Sequence, residues 1–179
     1  MPDPANPRHG LGPLTKIFVA LALFSLFPAP VPVAAQSDYY FPPGESFDPG
    51  IPSPEEFFGY PMGSFVTRQD RIVAYFQELA RLSERATYQS IGLTYEHRYM
   101  PVLTVTSPSN HGRLEEIRRQ HLATLEPGAP ANPDLPVIAH LGYNVHGNEA
   151  SAGEAALLTA YWLVAGSSGE VQGYLADGV

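Results

Sequence analysis

The sequence predicts an α/β domain, and three observations carry that prediction. Residues 137–141 form an almost continuously apolar run, as expected of a strand buried on both faces. Residues 150–165 follow after a short polar loop and are apolar nearly all round, the pattern of a helix packed against a sheet. Upstream, a helix-period segment leads into two runs of strand type. Strand, short loop and buried helix form the arrangement in which sites gather beyond the carboxyl ends of strands.

The chain has 179 residues, enough for one domain with its own core. Its composition is that of a globular protein, 44% hydrophobic and 16% charged, but nineteen prolines and sixteen glycines predict much loop. The net charge is −8 and Lys16 is the only lysine, which argues against nucleic acid, because phosphate binding needs a basic face. The chain contains no cysteine, so it forms no disulfide, thiolate metal site or Cys nucleophile. Any metal must be held by His and carboxylate.

From the N-terminus, Arg8 and Lys16 precede the apolar run IFVALALFSLF, and PAPVPVAAQ offers a small-residue cleavage site near Ala35/Gln36. An apolar run of this length is too short to span a bilayer, so residues 1–35 read as a secretory signal peptide; an uncleaved anchor is the alternative. The expected location is secreted or periplasmic, without stable membrane insertion after cleavage. Eight basic and seventeen acidic residues then remain, a charge of −9. Residues 36–66, rich in Pro, Gly and aromatics, read as an extended arm over a globular body, because such a chain builds neither ladder nor helix easily.

The body is expected over 67–179. Thr67 is placed to cap a helix of roughly residues 68–83, with Asp70 in the first turn and Ile72, Tyr75, Phe76, Leu79 and Leu82 on one face. Residues 87–95 and 101–106 are strand-type runs, and the connector EHRYM suits an antiparallel hairpin. SPSNHG reads as loop. Residues 112–124 read as an amphipathic helix through Leu114, Ile117 and Leu122, supported by a Glu115/Arg119 pair at i,i+4. A proline-laden loop leads to the 137–141 strand, and Gly166 is a natural stop for the last apolar helix.

Between that strand and helix stands His146-Gly147-Asn148-Glu149. A catalytic zinc takes three protein ligands, with one position left for water or substrate, and His with carboxylate is a common set. Residues i and i+3 share a face at a helix start, so His146 and Glu149 can point at one ion. Gly147 allows a close turn, and Asn144 or Asn148 can hydrogen-bond the loop. The structural alternative is equally specific: Glu149 favours the positive end of a helix, and Ser151 with Glu154 matches a capping box that needs no metal. With six histidines in the chain, spacing alone leaves both readings open.

The stretch NVHGNEASAGEAALL resembles the first metal motif of the zinc carboxypeptidases, His-Gly-Asn-Glu followed by small residues and a helix. The resemblance extends upstream through GLTYEHRYMPVLTVTSPSN and VTRQDRIVAYFQELARLSERATYQSIG, so that it covers roughly residues 65–179. It implies an α/β fold with a mixed sheet flanked by helices, and it implies His146 and Glu149 as the first two ligands of one Zn2+. It further implies a peptide or protein C-terminus as substrate, with hydrolysis of the C-terminal peptide bond. A zinc deacylase or amidase of related fold is the neighbouring activity. A non-catalytic secreted module that binds a peptide or protein is the reading from another class.

The sequence departs from the family's pattern downstream. The third ligand, a His, and the base, a Glu, lie far beyond the first pair in that family. Here no His follows His146, the later acids are Glu154, Glu170 and Asp177, and no Arg or Lys follows Arg119. The expectation is therefore an incomplete domain, with the general base beyond Val179 and this chain inactive alone. Among the other histidines, His140 is expected in the core or beside the metal loop, and His111 and His121 on a solvent-facing helix. His97 stands where the family has Gly, in a tight turn beside a structural Arg98. Glu154 either braces the metal loop or completes the capping box.

Overall fold

Residues 37–179 are described by a computed structural model; the expected leader, 1–35, lies outside the described residues. In chain order the elements are α1 (Ser37–Tyr40), α2 (Pro54–Phe58), α3 (Gln69–Leu82), β1 (Ala86–Leu93), β2 (Tyr99–Val105), α4 (Pro108–His111), α5 (Leu114–Ala123), α6 (Ala150–Ala165) and α7 (Gly169–Asp177). The α/β class holds, and the sheet among the described residues is one antiparallel hairpin. No helix of the described residues is long and apolar enough to cross a membrane.

α3 forms from its amphipathic period, with Tyr75 and Leu79 fully buried and Ile72, Phe76 and Leu82 half-buried against the same core. Its start differs from expectation. Arg68 occupies the cap position without a side-chain bond, while Thr67 is buried and its hydroxyl lies 3.1 Å from the Tyr60 hydroxyl. Thr67 therefore serves the contact with the preceding segment instead of the helix end.

The hairpin pairs Ala86 with Val105 through Ser90 with Pro101, and a bulge at Ile91–Gly92 precedes the pair Leu93/Tyr99. Its connector closes through Thr94 N–H to Arg98 O and His97 N–H to Thr94 O, both 2.9 Å. His97 takes φ 57°, the left-handed third position of a three-residue hairpin loop. Arg98 pairs with Glu96 at 2.8 Å, a local contact. Beyond β2, SPSNHG is not all loop: Ser107 caps the short α4. Glu115 of α5 pairs with Arg118 at i,i+3 (2.7 Å) in place of Arg119, and Leu122 is 49% exposed, so Ile117 alone carries the buried face of α5.

α6 is the axis of the core. Gly153, Ala156, Leu157, Ala160, Tyr161, Val164 and Ala165 are buried at three- and four-residue steps. The segment expected to be a loose arm covers much of this face. Ile51, Phe58 and Met62 are buried in the same cluster, Phe47 stacks on Tyr161 at 4.6 Å, and the Tyr75 hydroxyl donates to Pro52 O at 2.8 Å. A helix forms within it because Ser53 and Glu56 make a reciprocal capping box around Pro54. Proline richness thus gives a folded layer here, its rigid turns presenting the apolar side chains between them.

The corner after α6 is bonded from two sides. Gly166 ends the helix at φ −62°, and a Cβ there would lie 2.4 Å from Trp162 O, so a close approach rather than a left-handed turn requires glycine. Arg85 Nη1 donates to Val164 O and Gly166 O at 3.2 and 2.7 Å, a cation at a helix C-terminus. Glu45 accepts from the Trp162 indole, the Ser167 and Ser168 N–H groups and the Ser168 hydroxyl, at 2.7–3.1 Å. Buried Asn110 and Thr106 satisfy the other end of α7 by donating to Leu175 O, Ala176 O and Gly178 O.

Residues 137–141 are not a doubly buried strand. Val137 N–H donates to Asp177 O at 2.8 Å and Ala139 N–H to Val179 O at 3.0 Å. On the other edge no described strand pairs with the run. Val137, Ile138 and Leu141 are 65, 51 and 57% exposed. A strand buried on both faces needs neighbours on both edges and a layer on each side, and among the described residues only 177–179 lies alongside.

Two predictions come from these contacts. Partial burial acts to raise the Glu45 pKa, but the bonds from Ser168, Trp162 and Ser167 outweigh it and lower the pKa to about 2. The group binds fewer protons folded than unfolded, so its stabilisation is present above its unfolded value and fades as pH falls from about 4.5 toward 2. At neutral pH, Glu45→Gln should lower stability by about 1–2 kcal/mol after allowance for solvent screening. The gap from wild type should close in acid, as read by urea midpoints across that range. His97→Gly removes a left-handed side chain and should raise stability by about 0.5–1 kcal/mol, glycine's greater unfolded freedom offsetting part of the gain. A lowered urea midpoint would contradict it.

Candidate metal centre

The loop that precedes α6 is shaped by its own polar groups. Asn144 takes φ 54°, a left-handed conformation that Asn tolerates better than most residues. Its Nδ2 donates to Glu149 O at 3.3 Å, across the mouth of the loop. Glu149 N–H donates to His146 O at 3.1 Å and closes a turn with Gly147 and Asn148 at its centre. Tyr143 ties the loop's first half to α6 through its hydroxyl, which donates to Thr159 at 3.0 Å.

His146 and Glu149 converge within this turn. His146 Nδ1 lies 2.8 Å from Glu149 Oε1, and the His146 N–H donates to Oε2 at 3.4 Å. A carboxylate only accepts, so Nδ1 carries the proton in this arrangement. The side chains are 74 and 42% exposed, open to an ion from solvent. Two donors on one tetrahedral zinc stand roughly 3.3 Å apart at bond lengths of ~2.0–2.1 Å. A few tenths of an ångström and a shift of the imidazole proton from Nδ1 to Nε2 separate the observed pair from such a half-site. The donor set fits zinc as far as it goes, and among the described residues no third His, Asp or Glu joins it.

The remaining candidates separate clearly. Asn144 braces the loop. Asn148 is exposed at the turn, with no side-chain hydrogen bond among the described residues. His140 is exposed rather than in the core, because the strand expected to bury it does not form, and no hydrogen bond among the described residues reaches its ring. His111 donates through Nε2 to Arg85 O at 2.9 Å and His121 to Pro136 O at 2.7 Å, both structural contacts away from the loop. The capping box expected of Ser151 and Glu154 does not form. α6 begins at Ala150 with Glu149 in the cap position, and Glu154 Oε2 instead accepts from Gly63 N–H at 2.7 Å.

One residue of the site escaped the sequence reading. Gly153 lets Ile72 of α3 and Asn144 of the loop approach α6, since a Cβ there would lie 2.9 Å from Ile72 Cδ1 and 3.3 Å from Asn144 Oδ1. The available signal was an isolated glycine inside an apolar helix, which commonly marks close packing.

The family model described as zinc carboxypeptidase matches residues 72–177, more than half of the chain. The chain belongs to the zinc carboxypeptidase family. No curated protein and no solved structure matches it. The family match runs from α3 through α7 and includes the whole loop carrying His146 and Glu149, whereas residues 37–66 lie outside it. Membership implies a zinc cofactor and peptide substrates in general terms.

Asn144 gives the test of loop geometry. Asn144→Ala should cost about 1–2 kcal/mol by losing both the bond to Glu149 O and a residue suited to positive φ. Asn144→Gly loses only the bond and should cost less. Equal losses in urea unfolding would show that the backbone conformation is not what Asn144 supplies.

Proposed function

We propose that this chain is the part of a secreted or periplasmic zinc-dependent carboxypeptidase that supplies His146 and Glu149 as the first two zinc ligands, in an enzyme acting on the C-terminal peptide bond of peptides or proteins. One observation carries the reading: inside the family match, the imidazole and carboxylate converge at 2.8 Å at the start of α6. Bound zinc supplies Lewis-acid polarisation of a scissile carbonyl and activation of water. This chain's residues prepare that site. His146 would hold the ion through a ring nitrogen and Glu149 through its carboxylate, while Asn144 holds the Glu149 backbone against the loop. Residues 1–35 act as the export signal in this reading, and 67–179 belong to the catalytic domain.

Titration of the chain with zinc alone is the deciding experiment. Wild type should take up zinc, and His146→Ala should bind at least about tenfold more weakly. Equal zinc affinity for the two proteins would overturn the assignment.

A further inference from the structure

The segment outside the family match runs the length of α6. At one end Glu45 binds the Trp162–Ser168 corner, Asp48 N–H donates to Ala165 O at 2.8 Å, and Phe47 forms an antiparallel bridge with Gly166. At the other end Gly63 N–H donates to Glu154 Oε2, 91 residues away in sequence. Between these anchors Ile51, Phe58 and Met62 are buried with Leu157, Ala160 and Tyr161. From residues 45 to 63 the segment is a strap pinned at both ends of one helix.

The Glu154 end of the strap lies close to the metal loop. Glu154 is five residues past Glu149, about 7.5 Å along the helix axis. It adjoins Gly153, where α3 and Asn144 make their close approach. The other carboxylate oxygen, Oε1, is buried without a hydrogen-bond partner, a state folded proteins seldom leave unexplained. A glutamate kept there at that cost has the Gly63 bond as its visible return. We infer that Glu154 is a positioning residue, through which the strap fixes the first turns of α6 and so the pose of His146 and Glu149. This rests on the zinc-site reading for its functional meaning, though the mechanical coupling can be measured without zinc.

The test compares wild type, Glu154→Ala and Glu154→Gln in the full chain, by hydrogen exchange and by titration with zinc alone. Glu154→Ala should speed exchange about tenfold or more in both 60–66 and 143–153, and weaken zinc binding about tenfold, with protection of the 86–105 hairpin unchanged. Glu154→Gln keeps an oxygen that accepts from Gly63 and should stay within about threefold of wild type in both readouts. Faster exchange confined to 60–66, with 143–153 as in wild type, would overturn the inference. If Glu154→Ala loses hairpin protection and is therefore unfolded, Glu154→Asp, too short to reach Gly63, replaces it in the same comparison. If wild type lacks zinc binding that depends on His146, the zinc assignment falls, and the exchange data still decide the strap.

Discussion

Burial of α6 is the constraint on which the rest of the structure depends. A sixteen-residue helix with apolar side chains on almost every face cannot stand in water, and each large apolar side chain it buries contributes about 1.5–3 kcal/mol. α3 covers one part of it and the Pro/Gly-rich segment covers another, through Phe41, Phe47, Ile51, Phe58 and Met62. The buried phenols report how dry this contact is. Burial pushes the Tyr161 hydroxyl up to about 12, with the Glu56 and Asp48 carboxylates adding to the effect, and burial pushes Tyr75 higher still. The charged groups stay at the ends: Arg85 on the last carbonyls of α6 and Glu45 on the Ser167 and Ser168 N–H groups just before α7, each matching the sign of the helix end it meets. The candidate metal loop inherits its place from this arrangement, because it ends where α6 begins.

The legible parts of the fold were those where one period dominates. The three- and four-residue steps from Ile72 to Leu82 placed α3 within a residue or two, and the alternation after Arg85 placed the hairpin. α6 was legible to the residue at both ends, because Gly166 follows an unbroken apolar run. The segment before Thr67 was not, since three buried side chains scattered among prolines have no period to detect. A signal was nevertheless present there: Ser53-Pro54-Glu55-Glu56 is a capping box with proline in its first turn. The same rule applied to Ser151 and Glu154 failed, because tertiary contact with Gly63 claimed the glutamate first. Residues 137–141 failed differently. Apolar character shows that a segment seeks burial, but burial needs partners that among the described residues reach only one edge.

At the candidate site the sequence supplied the pair and the structure supplied its bracing. His146 and Glu149 were legible from spacing joined to family-like surroundings. The left-handed backbone of Asn144, the approach through Gly153 and the bond from Gly63 depend on residues up to 91 positions apart, which no local pattern encodes. Histidines elsewhere illustrate the converse. His111 and His121 each spend a ring nitrogen on a backbone carbonyl, and those carbonyls belong to residues 26 and 15 positions away.

The orientation of Glu149 is the strongest local argument for a role beyond structure. In the cap position a Ser, Thr, Asp or Asn side chain accepts from the second or third N–H, a contact worth about 1 kcal/mol that the longer glutamate is less suited to make. Glu149 has φ −85° and ψ 72°, makes no such bond, and turns back to the imidazole and N–H of His146. This turn away from the helix occurs on an exposed loop, where little packing forces it. The substitute is an exposed His–carboxylate contact, a class of interaction that contributes little in water. Exposed polar contacts that structure alone does not call for are where function is expected. Here what stands in return is an imidazole and a carboxylate held together at the start of α6.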